Sequence, residues 1–141
     1  MVESLRTSNI KSKIPTKLTE LLGKTKRVLI VEDDMIISLV IENMVRELGH
    51  EVIGKAASGE DAINLALNEQ PDLILMDIRL KGEMDGIEAV LAIKEKINTS
   101  VIYLTGNSDR VNYDRAKATD FIDLITKPFT ISDLTKSFEL V

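Results

Sequence analysis

The sequence predicts an α/β fold, a doubly wound parallel sheet of five strands covered by helices on both faces. Three observations predict it. From Arg27 onward, five short apolar runs alternate with five segments of helical periodicity. The runs are close to continuously apolar, as strands buried on both faces must be. Right-handed crossovers between parallel strands then restrict the topology to a doubly wound sheet.

The first strand is the β-branched run Arg27–Val31. Met35–Leu48 follows as a helix, with Ile36, Leu39, Val40, Met44, Val45 and Leu48 at helical spacing, and Gly49 stops it. Glu51–Ala56 is the second strand. Ser58 caps a helix to Asn68, with Ala62, Leu65 and Ala66 on one face and Glu60 and Asp61 in its first turn. Pro71 marks a turn before the third strand, Leu73–Asp77. Gly86–Ile97 is the third helix, Val101–Thr105 the fourth strand, and Asp109–Ala118 a weak, polar helix. Phe121–Thr126 holds the fifth strand, and Ile131–Leu140 is the last helix, capped by Thr130 or Ser132.

A chain of 141 residues with 44% apolar and 29% charged residues supports one domain with a short appendage. No apolar run is long enough to span a membrane, and the N-terminus has no apolar stretch of the secretory type. Cysteine is absent and His50 is the sole histidine, which excludes disulfides, thiolate nucleophiles and metal sites built on Cys or several imidazoles. His50, after Gly49, reads as a surface or turn residue. Any metal must be held by oxygens, favouring Mg²⁺, Mn²⁺ or Ca²⁺. Residues 1–27 carry seven Lys/Arg against two Glu, a net +5, and the remainder carries 11 Lys/Arg against 21 Asp/Glu, a net −10. Composition shifts near Lys26, so residues 1–25 are expected to form a basic tail, with a short helix from Thr16 to Leu22, and residues 26–141 the folded unit.

In a doubly wound sheet, ligands bind beyond the carboxyl ends of the strands. The first strand ends in Glu32-Asp33-Asp34, the third in Asp77, the fourth in Thr105, and the fifth runs into Thr126-Lys127-Pro128. Gathered carboxylates repel one another unless a cation intervenes, and a few carboxylates with retained waters suit Mg²⁺. Acidic residues also cap helix N-termini, and that reading accounts for Asp34. It accounts poorly for Asp77, because the next helix starts well downstream. A carboxylate beside a metal can attack phosphorus and form an aspartyl phosphate. Lys127 would then supply a second positive contact and Thr105 a hydroxyl for a phosphoryl oxygen. Read singly, Thr105 is a β-branched strand residue and Lys127 a surface lysine before a turn.

VLIVEDD, LILMDIRLKGEMDGIEA, VIYLTG and ITKPF together resemble the receiver domain of two-component response regulators, over residues 26–141. The resemblance implies a flavodoxin-like fold with strand order 2-1-3-4-5 and Mg²⁺-dependent phosphorylation (with Mn²⁺ as a substitute) by a histidine kinase or phosphotransfer protein. It implies Asp77 as phosphoacceptor and Asp33 as a direct metal ligand. Glu32 would be the companion acid acting through water, and the backbone carbonyl of Arg79 a further metal ligand. Thr105 and Lys127 take the switch-hydroxyl and phosphate-binding roles, and the Lys127-Pro128 bond is expected to be cis. A haloacid dehalogenase-type hydrolase also uses a strand-end Asp with Mg²⁺, but it wants a second Asp where this chain has Arg79.

Two departures from the family pattern stand out. Leu124 occupies the place of the usual Tyr or Phe three residues before the lysine, so coupling of Thr105 to a buried aromatic on the fifth strand is in question. Phe121 and Tyr103 are nearby substitutes, Tyr103 reading more simply as a strand residue. The loop after Asp77, IRLKGEMDG, is longer and more basic than usual, placing Arg79 and Lys81 near the acceptor. No output domain follows Val141, so the expectation is a cytoplasmic, non-enzymatic receiver that signals by protein contacts. Its partners would be the phosphodonor and a downstream protein, with homodimerisation through helix four, strand five and helix five. A receiver portion of a larger hybrid kinase or regulator is the alternative. Direct nucleic-acid binding is not expected, because the acidic body would repel phosphates.

Overall fold

A computed structural model describes residues 25–106 and 110–141, and strands and helices alternate throughout these segments. The strands are β1 Arg27–Val31, β2 Glu51–Ala56, β3 Leu73–Asp77, β4 Ser100–Thr105 and β5 Asp123–Thr126. The helices are α1 Met35–Glu47, α2 Gly59–Glu69, α3 Gly86–Lys94, α4 Arg110–Lys117 and α5 Ile131–Phe138. All strand pairs are parallel and the order is β2-β1-β3-β4-β5. This is the flavodoxin-like topology that the resemblance implied. The expected tail helix at residues 16–22 lies outside the described residues.

Strand alternation divides the core in two. Leu29, Val31, Ile74, Met76, Val101 and Tyr103 face one side, where α2, α3 and α4 bring Ala62, Ala66, Ile87, Val90, Ile93 and Ala116. Val28, Ile30, Leu73, Leu75, Ile102 and Leu104 face the other, against Ile41 and Val45 of α1 and Leu134 and Phe138 of α5. All five residues of β3 are buried, so the central strand is apolar up to the carboxylate at its end.

Local chemistry starts and stops the helices where the sequence signals them. Asp34 caps α1 by accepting from the N–H groups of Ile36 and Ile37 at 2.9 and 3.1 Å. Gly49 takes φ +87° after the helix ends, a conformation glycine adopts without penalty. Ser58 accepts from Asp61 N–H to cap α2, and Asp85–Glu88 and Thr130–Asp133 form reciprocal capping boxes on α3 and α5.

Several boundaries differ from the sequence expectation. α3 ends at Lys94 rather than Ile97, because Lys96 and Ile97 both donate to Ile93 O and the chain tightens out of the helix. Ile97 still packs against the core, which is why its spacing looked helical. α4 spans Arg110–Lys117 rather than 109–118, and α5 stops at Phe138. β5 starts at Asp123, since Asp120 turns the chain through a left-handed φ of 51° and Phe121–Ile122 lead into the strand without belonging to it.

Candidate functional site

Four strands deliver the site, and the hydrogen bonds that continue their ladders fix where each residue falls. Glu32 N–H donates to Ala56 O, prolonging the β1–β2 ladder by one residue. Ile78 N–H donates to Leu104 O at 3.1 Å, locking the end of β3 against β4. Lys127 N–H donates to Thr105 O at 2.7 Å, which ties the residue after β5 to the last residue of β4. Thr105 is buried and lies in register with Thr126.

On this frame the side chains of Glu32, Asp33, Asp77 and Lys127 converge. Carboxylate oxygens of the three acids lie within 4.8 Å of one another. Glu32 and Asp77 are almost wholly buried, at 3% and 5% exposure. The Lys127 ammonium sits between them, donating to Asp77 Oδ2 at 3.0 Å and making a short contact with Glu32 Oε1. The second Asp77 oxygen accepts from the Arg79 N–H at 3.1 Å, and Glu32 Oε2 accepts from the Asp34 N–H at 3.1 Å. Asp33 Oδ2 accepts from the Lys81 N–H at 3.1 Å, so the loop after Asp77 folds back over the site.

Burial pushes the Glu32 carboxyl up and nearby Asp77 adds to the rise, against the opposing pull of Lys127 and of the Asp34 N–H. Burial would lower the Lys127 ammonium, but its bond to Glu32 and the charge of Asp77 outweigh that and hold it above the usual lysine range. Lys127 therefore stays charged. Three carboxylates and one ammonium leave a formal charge of −2, on a set of oxygen donors. That chemistry fits a hard divalent cation such as Mg²⁺, which prefers a few carboxylates and retained waters. Glu32, Asp33 and Asp77 are the residues that would hold it.

The structure thus brings together four of the residues singled out in the sequence and sets Thr105 at the neighbouring strand end. Asp34 is an N-cap, outside the cluster. The Lys127-Pro128 bond is cis. The Arg79 side chain is exposed, and its backbone N–H is what touches Asp77.

His50 lies at the helix-to-strand turn as expected, but with more contacts than a plain surface residue. It is half-buried: Nδ1 accepts from the Lys26 N–H at 3.0 Å and the ring tilts onto Phe138 at 4.7 Å. Sequence reasoning also missed Gly86. A Cβ there would lie 2.1 Å from Asp77 O. The D-G pair at 85–86, a cap followed by the smallest residue, was the available signal for this close approach. Tyr103, expected as a plain strand residue, is fully buried and its hydroxyl bonds Thr119.

Comparison with known proteins agrees with this fold. A family model described as the response regulator receiver domain matches residues 28–139. The transcriptional regulatory protein PdtaR of Mycobacterium tuberculosis is 38% identical over 115 residues, 82% of this chain. This chain spans only 56% of PdtaR's length. The signal receiver domain of a modulated diguanylate cyclase from Desulfovibrio desulfuricans G20 superposes with a TM-score of 0.77 at 31% identity, covering 82% of this chain and 92% of that one. The receiver domain of a sensor histidine kinase from Pseudomonas aeruginosa PAO1, solved with a magnesium ion coordinated in the active site cleft, gives 0.73 at 31% identity, over 82% and 95%.

Proposed function

The chain belongs to the response regulator receiver family, and from that premise we propose that it is a phosphorylation switch whose acceptor is Asp77. The carrying observation is the seating of the Lys127 ammonium between Asp77 and Glu32, with Asp33 in reach. We assign Asp33 and Asp77 as direct ligands of Mg²⁺, with Mn²⁺ able to replace it. Glu32 acts through water, and the Arg79 backbone carbonyl completes the set. A bound divalent cation supplies charge neutralisation and orients the phosphoryl oxygens.

The chain's own residues do the rest. An Asp77 carboxylate oxygen attacks the phosphorus of a phosphohistidine on the donor. The P–O bond forms as the P–N bond breaks, and the imidazole leaves with the electron pair and takes a proton from solvent. The Arg79 N–H and Lys127 hold the two Asp77 oxygens in place for the attack. Lys127 then faces the added negative charge, and the Thr105 hydroxyl turns to a phosphoryl oxygen.

The donor is a histidine kinase or phosphotransfer protein. Its approach is favoured by the surface beside the site. Met35, Ile36, Leu39 and Val40 of α1 are 83%, 77%, 52% and 47% exposed. Ile36 and Val40, with Ile37, line a groove of about 320 Å³ that reaches Lys127, Pro128 and Phe129. Exposed apolar surface of this kind marks a protein-binding face.

The output is a contact with a downstream protein, or a homodimer, on the face of α4, β5 and α5. Among the described residues no helix is long and apolar enough to cross a membrane, and we place the protein in the cytoplasm, where its donors reside. The folded unit begins near residue 26, and removal of residues 1–25 leaves Asp77 reactive.

The test is incubation with acetyl phosphate or phosphoramidate and Mg²⁺, followed by intact-mass measurement. One phosphoryl group should be gained, and Asp77→Asn should gain none. Labelling of Asp77→Asn at the wild-type rate would remove the assignment.

A further inference from the structure

Resting on the reading of Asp77 as acceptor, we propose that Tyr103 is a positioning residue that ties β4 to the end of α4 through Thr119, replacing the aromatic that β5 lacks at Leu124. Leu124 pairs in register with Tyr103, so the two side chains lie next to each other on one face of the sheet. Thr105 is two residues beyond Tyr103 on the same strand and therefore on that same face. The aromatic has moved across one strand, onto the strand that carries the switch hydroxyl.

Its hydroxyl has a defined partner and a defined direction. Tyr103 Oη lies 2.8 Å from Thr119 Oγ1, and both residues are buried. Thr119 Oγ1 also lies 2.6 Å from the Ala116 carbonyl, which can only accept. A hydroxyl has one proton, so Thr119 gives its proton to Ala116 and Tyr103 must donate to Thr119. The chain Tyr103 → Thr119 → Ala116 ends in the last turn of α4. Burial, more than the Thr119 bond relieves, pushes the Tyr103 phenol up to about 12, so the donor proton stays in place.

The ring adds a second path. Tyr103 meets Phe121 edge-on at 5.5 Å, and Phe121 meets Tyr113 of α4 edge-on at 6.1 Å. Nearby, Arg115 of α4 pairs with Asp85, the N-cap of α3, at 2.8 Å, close enough to act on the Tyr103 phenol. A shift of β4 at Thr105 is thus passed to α4 through a fixed bond rather than through rotation of a ring on β5.

The experiment uses the full chain labelled with ¹⁵N, beryllofluoride with Mg²⁺ as the probe, and amide shifts at residues 77–79, 105 and 111–119. In the wild type all three groups should move. In Tyr103→Phe, which removes the hydroxyl alone, residues 77–79 and 105 should still move and acetyl phosphate should still add its phosphoryl group. The α4 response relative to Thr105 should fall about fivefold, the change in equilibrium that one buried hydrogen bond carries. Thr119→Val should reproduce the loss and Thr119→Ser, which keeps the hydroxyl, should restore the response.

An undiminished α4 response in Tyr103→Phe overturns the proposal, as does loss in Thr119→Ser. If Tyr103→Phe does not fold, the Thr119 pair decides by the same criteria. If the wild type itself shows no movement at 77–79 and gains no phosphoryl group, the acceptor reading fails first and the relay with it.

Discussion

Gly86→Ala is the substitution for which the structure gives the sharpest magnitude. Gly86 opens α3, and its N–H donates to Ile78 O at 2.8 Å, drawing the helix start onto the end of β3. An added Cβ would stand 2.1 Å from Asp77 O, 2.9 Å from Met76 Cγ and 3.0 Å from Asp77 C. Ordinary contact begins near 3.4 Å, so the two backbones must part by about 1.3 Å. Moving α3 would unseat Ile87, Ala89, Val90 and Ile93, all essentially without exposure. Moving β3 would strain the Ile78–Leu104 bond and displace Asp77 itself. The better helix propensity of alanine returns at most about 1 kcal/mol. Overpacking costs about 1–3 kcal/mol where side chains can yield, and here the obstacle is backbone, so a net loss of about 3 kcal/mol is expected. With a urea slope of about 2 kcal/mol/M the midpoint should fall by about 1.5 M. Labelling of Asp77 by acetyl phosphate should slow about 100-fold if the carboxylate moves by about 1 Å. Gly54→Ala is the control, since its Cβ would meet Leu29 and Leu65 at 3.6–3.7 Å, an ordinary contact. A Gly86→Ala protein with wild-type midpoint and labelling rate would refute the close approach of α3 to Asp77.

Other consequences can be measured separately. Burial, then the charge of Lys26, hold His50 below its ordinary value. Its stabilising contribution is therefore complete above about pH 6.5 and is lost as pH falls from there towards the folded value; thermal melts of His50→Gln should lose that part of the slope, and an unchanged slope would count against it. Tyr103 should ionise near pH 12 rather than 10. The chain has two tyrosines, so an absorbance titration of Tyr113→Phe reads Tyr103 alone. Stability from this group is complete below about pH 10 and lost as pH rises towards 12, and ionisation of the folded variant at pH 10 would contradict the buried bond. Asp33→Ala should weaken Mg²⁺ at least about tenfold by calorimetry, and an unaltered titration would remove Asp33 from the ligand set. Lys127→Met should leave Mg²⁺ binding intact or tighter, because a competing positive charge is gone, yet slow labelling about 100-fold. A parallel loss of both would mean that the lysine merely holds the site together.

The fold was legible because its signals are local. Apolar runs such as Leu73–Asp77 and caps such as Asp34 and Ser58 act within a few residues, and the order of strand ends placed Asp77, Thr105 and Lys127 at one sheet edge. Two of the residues where the boundaries differ, Ile97 and Phe121, pack against the core without lying in an element. Burial follows periodicity there, but backbone hydrogen bonding does not, and the end of a ladder cannot be read from apolarity alone. The rest depends on contacts between distant segments. Lys81 N–H on Asp33, His50 on Lys26, Gly86 against Asp77 and Tyr103 on Thr119 join residues whose juxtaposition only packing creates. Leu124 illustrates the limit: the sequence exposed the missing aromatic, while the register that puts Tyr103 beside it came from the sheet.

Three acids gathered at one sheet edge raise the question of how the fold tolerates them, and Lys127 answers it. Burying two carboxylates without a counter-charge would favour protonation or unfolding. The ammonium is held where it contacts both and offsets part of their charge, and the residue is tied in place by the backbone bond from Lys127 N–H to Thr105 O. That bond makes Lys127 and Thr105, the proposed switch residue, mechanically one unit. A pull on Thr105 moves the segment carrying Pro128 and Phe129, which line the groove on α1, while Tyr103 on the same strand is bonded towards α4. The face proposed to receive a donor and the face proposed to report the modification are therefore joined through Thr105 and Lys127.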